Sequence, residues 1–167
     1  MKKMCLLICS ALILQMLCAC AAKKEDYLVP TQFYYGTKEI TYHSPTGVIQ
    51  AETREGAEYQ GNLDAFLRAY LQGPVSTQLQ LIIPSDTSLV SYETDGSTIC
   101  IVMSAQLSKL SGISLLTACS ALFLSLHDFA GIETLRVSAE GCQLDEKDEI
   151  AITMDDIVLM DMVNIEE

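Results

Sequence analysis

The stretch that decides the fold is residues 89–103, which read LVSYETDGSTICIVM. Two runs rich in β-branched and aromatic residues flank Asp95-Gly96, and these two residues tolerate the positive φ angles that a tight turn requires. The pattern therefore predicts a β-hairpin. Residues 99–103 are apolar at every position, so we expect the second strand to be central in its sheet and covered on both faces.

Upstream of this hairpin, apolar residues recur at the spacing of an amphipathic helix that ends before Gly73-Pro74. Asn62 is a suitable N-cap, and Asp64 lies in the first turn, where a negative charge interacts favourably with the helix dipole. One face of this helix is apolar and must pack against a sheet: Leu63, Phe66, Leu67, Tyr70 and Leu71.

Downstream of the hairpin, residues 114–126 predict a second helix that is apolar nearly all round. The run is shorter than the roughly 20 residues that a membrane span requires, so we expect a buried helix. His127-Asp128 lies at its end, where an imidazole can interact with the helix dipole and cap carbonyl groups. Polar residues then alternate with apolar ones, which predicts a strand with one solvated face: Leu135, Val137 and Ala139.

The folded part begins with an aromatic-rich strand at 31–35, and extended pieces follow at 40–42 and 48–54. The resulting order of elements is β-α-β-β-α-β. It predicts an α+β domain over residues 31–141, in which two helices pack on one small mixed sheet.

Residues 142–167 form an acidic C-terminal extension. Its segments 150–154 and 157–163 are apolar enough to add one or two edge strands to the sheet. The whole chain has 10 Lys and Arg against 22 Asp and Glu, a formal net charge of -12. This acidic balance argues against nucleic acid as a partner, because phosphate groups attract clustered basic residues. It also argues against direct adhesion to an anionic lipid surface, which would repel an acidic domain.

The N-terminus has the composition of a secretory signal, since Lys2 and Lys3 precede an apolar run at 5–17 that is too short to span a bilayer. The run ends at Leu17-Cys18-Ala19-Cys20, which resembles a bacterial lipobox. The resemblance implies a signal peptide over 1–19 and a lipid-modified Cys20 that anchors the protein to the extracytoplasmic face of the cell membrane. An ordinary cleaved signal peptide is the alternative.

Cys20 and a short linker occupy residues 20–30, and a linker of this length reaches at most about 35 Å. Outside the leader and anchor, the cysteines are Cys100, Cys119 and Cys142. An odd number is not a disulfide framework, so we expect Cys100 and Cys119 to be small buried apolar residues. No spacing with a histidine indicates a zinc site, and no metal is predicted.

Short motifs follow one another in a recognisable order through residues 31–141. They are Phe33-Tyr34-Tyr35, Arg54, Leu71-Gln72-Gly73-Pro74, Ile83-Pro84, Thr87-Ser88-Leu89, Asp95-Gly96, Met103-Ser104, Phe129-Ala130-Gly131-Ile132 and Glu140-Gly141. In order and spacing they resemble the GerMN domain family of bacterial envelope lipoproteins. Two positions depart from the family: Val102 stands where an acidic residue is usual, and Ala139-Glu140-Gly141 replaces Val-Asp-Gly.

This resemblance implies a non-catalytic module similar to the ring-building domains of envelope and secretion assemblies, with a link to sporulation or germination. The residues agree, because the chain has no Gly-x-Ser-x-Gly elbow, phosphate loop or dinucleotide fingerprint. His43 lies in a turn beside Pro45, and Asp155-Asp156 belongs to an acidic run that is more typical of a solvated face than of a calcium or glycosidase site. We expect no enzymatic activity and no cofactor.

The leading functional hypothesis is a lipid-anchored interaction module whose sheet edge or helix face binds another envelope protein or a second copy of the chain. The acidic extension would favour a basic partner. The alternative is a binder of cell-wall fragments or cations, which requires a pocket that two helices on a small sheet leave little room to form. An envelope hydrolase with a site assembled from distant segments is a third, weaker hypothesis.

Overall fold

The structure is a computed structural model that describes residues 30–39 and 48–161. Several predictions lie outside the described residues. These are the signal peptide, the lipidation of Cys20, the linker before residue 30, the extended piece at 40–42, the turn that contains His43, and the end of the acidic extension.

The described residues form strands and helices in the following order: β1 Thr31–Thr37, β2 Ile49–Arg54, α1 Leu63–Leu71, β3 Leu79–Gln80, β4 Leu89–Asp95, β5 Thr98–Met103, α2 Gly112–Ala130, β6 Thr134–Ala139, β7 Ile150–Thr153 and α3 Met154–Asp161. The α+β class predicted from the sequence is confirmed. Two short 3-10 segments, Ala57–Tyr59 and Ala105–Lys109, lie in the connections that precede α1 and α2.

The strands form two sheets, so the prediction of one small sheet is wrong. One is three-stranded and antiparallel with the order β2-β1-β3, and the other is four-stranded and mixed with the order β4-β5-β6-β7. The three-stranded sheet ends on one side of β1, where the short strand β3 pairs only with Gly36 and Thr37. Beside β3, the backbone N–H of Tyr34 donates to Ser125 Oγ of α2 at 2.8 Å. The helix therefore lies where a further strand would have to pair.

The hairpin at Asp95-Gly96 is confirmed, with Asp95 paired to Thr98 and Gly96 at a φ of 58°. Strand β5 is central as expected, because it pairs with β4 on one side and with β6 on the other. Its two faces differ: Ile99, Ile101 and Met103 are at most 2% exposed, while Cys100 and Val102 are half-buried. The expectation that both faces are covered is therefore wrong, because the core lies against only one of them.

The side of the four-stranded sheet that faces away from the core is called the outer face below. It carries Cys100 and Val102 of β5 and Arg136 and Ser138 of β6, which are paired across the two strands. Strand β6 shows the predicted alternation, because Leu135, Val137 and Ala139 on the opposite side are all buried. The outer face is thus a sheet surface that the described core does not cover.

Helix α1 forms as the sequence predicts. Asn62 Oδ1 accepts a hydrogen bond from the backbone N–H of Ala65 at 3.1 Å, and Gly73 ends the segment with a φ of 86°. The buried aromatic residues of the helix stack on those of β1, with ring centroids 4.7 Å apart for Phe33 and Phe66 and 5.1 Å apart for Tyr35 and Tyr70. This packing attaches α1 to the three-stranded sheet.

Helix α2 is longer than predicted, because it continues through His127-Asp128 to Ala130 and ends at Gly131 with a φ of 68°. By length and apolar composition alone it could cross a membrane. Its side chains nevertheless form the centre of the domain: Leu115, Ala118, Cys119, Leu122, Phe123 and Leu126 are at most 2% exposed. It is a core helix, as the sequence predicts.

The described part of the acidic extension contains β7 and α3. Strand β7 pairs antiparallel with β6 at the edge of the sheet, which confirms one predicted edge strand. The second predicted edge strand, at 157–163, is wrong over its described part, because Ile157 lies in a helix. The backbone N–H and the Oγ1 of Thr153 both donate to Asp156 Oδ2 at 2.8 Å, a capping arrangement that starts α3.

Candidate functional site

A densely bonded polar cluster surrounds Arg54, which ends β2 and whose side chain is 13% exposed. Its Nε donates to Glu52 Oε1 at 2.6 Å. Its Nη2 donates to the carbonyl oxygen of Gly73 at 2.7 Å and to Tyr35 Oη at 3.2 Å. The guanidinium carbon lies 4.5 Å from the centroid of the Phe33 ring. Arg54 therefore connects the three-stranded sheet to the loop that follows α1.

Glu52 completes this connection. Its carboxylate accepts the backbone N–H groups of Val75 at 3.1 Å and Ser76 at 2.7 Å. Burial would raise the pKa of the Glu52 carboxyl, but these backbone hydrogen bonds and the Arg54 guanidinium together hold it below its usual value. The Tyr35 hydroxyl is affected differently, because burial raises its pKa to about 12 although Arg54 opposes the shift.

The Arg54 cluster explains why the Leu71-Gln72-Gly73-Pro74 motif and Arg54 occur together in this chain. The guanidinium and the carboxylate are bonded to backbone groups on both sides of that loop. Their bonded, largely buried state suits a structural role and leaves no nucleophile or general base facing solvent. The sequence did not single out Glu52, although its two-residue separation from Arg54 places both on one side of a strand.

The His127-Asp128 pair lies in the last turn of α2, and both side chains are hydrogen-bonded. His127 Nδ1 lies 2.7 Å from the carbonyl oxygen of Ile132, so that nitrogen carries the proton and donates. Asp128 Oδ2 accepts a hydrogen bond from Tyr34 Oη at 2.7 Å. Burial, together with this carboxylate, raises the pKa of Tyr34 to about 12. Both side chains bind the end of α2 to neighbouring segments.

The three cysteines have different environments. Cys119 is 2% exposed, and burial raises the pKa of its thiol to about 12, which fits the predicted apolar role. Cys100 is only half-buried on the outer face, so the expectation of a buried residue is wrong there. Cys142 is exposed. Within residues 30–39 and 48–161, no group of three or more His, Cys, Asp and Glu side chains is placed to hold a metal ion.

Two of the open concavities on the described surface are each larger than the sequence led us to expect. One, of about 340 Å³, lies where the chain enters β1 and is lined by Pro30, Thr31, Gln32, Gln60, Gly61, Asp128 and Phe129. The other, of about 330 Å³, is lined by Ala139, Gly141, Cys142, Gln143 and Asp148. Both volumes are at the low end of the range for small-molecule sites.

Strand β4 has an open edge. It pairs with β5 on one side, and among the described strands none pairs with its other side. The apolar Val90 is 45% exposed at a bulge, and the acidic Glu93 and Asp95 are exposed further along the strand. An open edge presents backbone donors and acceptors to which an extended segment of another chain can pair.

The fold can be compared with known proteins. No family model and no curated protein sequence matches the chain. Among solved structures, the tandem GerMN domains of the sporulation protein GerM from Bacillus subtilis match 74% of this chain with a TM-score of 0.51 and 17% identity. The domain has a GerMN-like fold. The match covers 45% of the GerM structure, so this chain spans less than half of that tandem protein.

A second solved structure is a proposed lipoprotein from Clostridium perfringens. It matches at 16% identity and a TM-score of 0.48, over 81% of this chain and 94% of the other. The GerMN-like assignment rests on the GerM match alone. It confirms the resemblance indicated by the sequence motifs, and at this identity it concerns the fold and not the activity.

Proposed function

We propose that this chain is a lipid-anchored, non-catalytic interaction module on the extracytoplasmic face of a bacterial cell membrane. Cys20 would carry the lipid, and a linker reaching at most about 35 Å would keep the GerMN-like domain close to the membrane surface. The module would bind an envelope protein. The shared fold with a protein named for sporulation supports a role in sporulation or germination.

The open edge of β4 is the observation that carries the proposal. A strand of seven residues is long enough to pair with an extended segment, and its exposed groups include Glu93 and Asp95. These carboxylates favour a segment that carries Lys or Arg, in keeping with the chain's net charge of -12. The bulge at Leu89 and Ser91 twists the start of the strand, which limits nonspecific pairing with other edges.

The experiment is chemical crosslinking in intact cells followed by affinity purification, with a substitution at this edge. Val90→Lys adds a positive charge at the bulge, so it should repel a basic segment while leaving the fold intact. Val75→Lys is the matched control, because Val75 is apolar and 80% exposed but lies in the loop after α1. We expect envelope proteins to be recovered with the native chain and with the control. The amount recovered with Val90→Lys should be several-fold lower. Equal recovery with all three would contradict a β4 docking site.

The concavity at Pro30 favours a second candidate function, the binding of small cell-wall fragments or cations. It combines the Asp128 carboxylate and the amides of Gln32 and Gln60 with the Phe129 ring, a mixture of polar and aromatic groups that suits a sugar or peptide fragment. Calorimetric titration with soluble wall fragments or calcium tests this function. Binding that weakens in an Asp128→Asn variant would support it, and the absence of heat with every ligand would exclude it.

A further inference from the structure

The outer face carries a row of residues with opposite charges on either side of a cysteine. Glu93 of β4 pairs in register with Cys100 of β5, and Cys100 pairs in register with Arg136 of β6. Residues paired in register point to the same side of a sheet. The row therefore reads negative, neutral, positive across three strands. We propose that this outer face binds the outer face of a second copy of the same chain.

The charge order is self-complementary for one arrangement of two stacked sheets. In this arrangement a two-fold axis lies between the sheets and runs parallel to β5. The axis exchanges the positions of β4 and β6 about β5. Glu93 of each copy then faces Arg136 of the other, and the two copies of Cys100 face each other at the centre.

The neighbouring rows fit the same axis. Ser91 and Ser138 lie on opposite sides of Val102, so the serines would face each other across the interface. Asp95 and Thr134 lie on opposite sides of Thr98, so that carboxylate would face a hydroxyl. None of these rows brings like charges together, an arrangement that would cost binding energy.

The same charges disfavour the alternative axis, which lies between the sheets but runs across the strands. That axis would place each Glu93 against Glu93 of the second copy and each Arg136 against Arg136. Glu93 forms no ion pair within the described part of the chain, and Arg136 shares only an exposed pair with Glu149 at 3.2 Å, with side chains 51% and 43% exposed. Both groups are therefore accessible to a second copy.

The shape of the face also suits sheet stacking. Apart from Glu93 and Arg136, the three rows consist mainly of serine, threonine, cysteine and valine, which are short side chains. Two sheets of this kind can approach with their strands nearly aligned, at an angle of about 30°. At that angle each Glu93 still lies over an Arg136, because both residues are one strand away from the axis.

The size of the face decides how stable the pair can be. Only β4, β5 and β6 of each copy overlap about this axis, and three strands about 4.8 Å apart and five residues long at about 3.3 Å per residue give roughly 240 Å² per copy. Stable interfaces bury about 800 Å² per partner, so the pair would be weak in dilute solution. Confinement of both copies to one membrane raises their effective concentration. In this respect the inference rests on the proposed Cys20 anchor.

Crosslinking between the two copies of Cys100 tests the arrangement on the full, anchored chain in intact cells. A short bismaleimide joins two thiols as thioethers without an oxidant. Cys142 is exposed and would compete, so every variant carries Cys142→Ser, while buried Cys119 with its raised pKa should not react. Cys100→Ser shows which crosslinked dimer depends on the outer face.

The decisive variants each reverse one of the two charges in the proposed contact. In E93R each new arginine faces Arg136 of the second copy, and in R136E each new glutamate faces Glu93, so either variant alone should lose several-fold of the dimer. When E93R and R136E are expressed together with different tags, each contact again joins opposite charges, and the mixed dimer should recover. Glu55→Arg, at an exposed position outside the outer face, is the charge control and should leave the yield unchanged.

The absence of a Cys100-dependent dimer would overturn the proposal, as would a dimer that neither charge variant reduces or that co-expression does not restore. This readout is separate from that of the proposed function, which is scored by the envelope proteins recovered with the chain. Envelope proteins can therefore be recovered in the absence of a Cys100-dependent dimer, and the dimer can form when no envelope protein is recovered.

Discussion

Arg54 and Glu52 lie two residues apart on β2, and the Nε of Arg54 donates a hydrogen bond to Glu52 Oε1 at 2.6 Å. The side chains are only 13% and 10% exposed. Through Gly73 and Ser76 they bind the loop after α1 from both sides. This pair is the main polar connection between the three-stranded sheet and the segment that carries the Leu71-Gln72-Gly73-Pro74 motif.

Replacement of Arg54 by alanine should destabilise the domain by about 2 to 3 kcal/mol, because it leaves the Glu52 carboxylate and the Gly73 carbonyl without their charged partner. The free energy of unfolding from urea titration measures this loss. Arg68→Ala is the control, because Arg68 and Asp64 form an exposed pair, 68% and 45% exposed, which solvent screens, so its loss should change the free energy of unfolding far less. Equal losses in the two variants would contradict the structural role of Arg54.

The Glu52 carboxyl should make stability dependent on pH at the acid end. Its pKa is lowered in the folded state, so its contribution is present above the unfolded value of about 4.3 and is lost as the pH falls through the folded pKa. The difference in unfolding free energy between the native chain and Glu52→Gln should therefore be largest near neutral pH and shrink below pH 4. A difference that stays constant from pH 7 to pH 3 would show that the Glu52 charge does not contribute.

The three cysteines should react with maleimide in a fixed order. Cys142 is exposed and should react first, half-buried Cys100 should follow, and Cys119 should react only on unfolding because burial raises its pKa to about 12. Mass spectrometry of peptides from a labelling time course measures the three rates. Rapid labelling of Cys119 in the folded protein would contradict the position of α2 in the core.

The Asp156 side chain should stabilise the start of α3. Asp156→Ala removes the acceptor for both donors of Thr153, so we expect a loss of about 1 kcal/mol in unfolding free energy, as for other capping residues. Asp155→Ala is the matched control, because Asp155 is the neighbouring acidic residue in the same first turn. It should lose only a few tenths of a kcal/mol through the helix dipole. Similar losses of unfolding free energy in the two variants would contradict the capping role of Asp156.

Local patterns in the sequence predict most of the elements correctly. Helix α1 has its cap, apolar face and terminator in the expected places, and the hairpin forms around Asp95-Gly96. These features depend on residues within a few positions of one another, which is the range over which turn, capping and periodicity rules apply. The same rules predict the alternation of β6.

The arrangement of the elements is less predictable, because it depends on contacts between distant residues. The contact of Tyr34 with Ser125 places α2 beside β1 and divides the strands between two sheets. The half-buried state of Cys100 depends on what covers the sheet, and its apolar strand sequence suggested a buried position. The capping of α3 by Asp156 was accessible from the sequence as Thr153-x-x-Asp156, but the apolar residues around it resembled a strand.

The measurement that tests the central claim most directly is crosslinking in intact cells with affinity purification, comparing the native chain with Cys20→Ala. We expect the native chain to be recovered from the membrane with reproducible envelope partners, and the variant to lose both the membrane association and those partners. Recovery of the chain without any partner in both cases would contradict an interaction module. Recovery of the same partners with both would contradict the role of the lipid anchor.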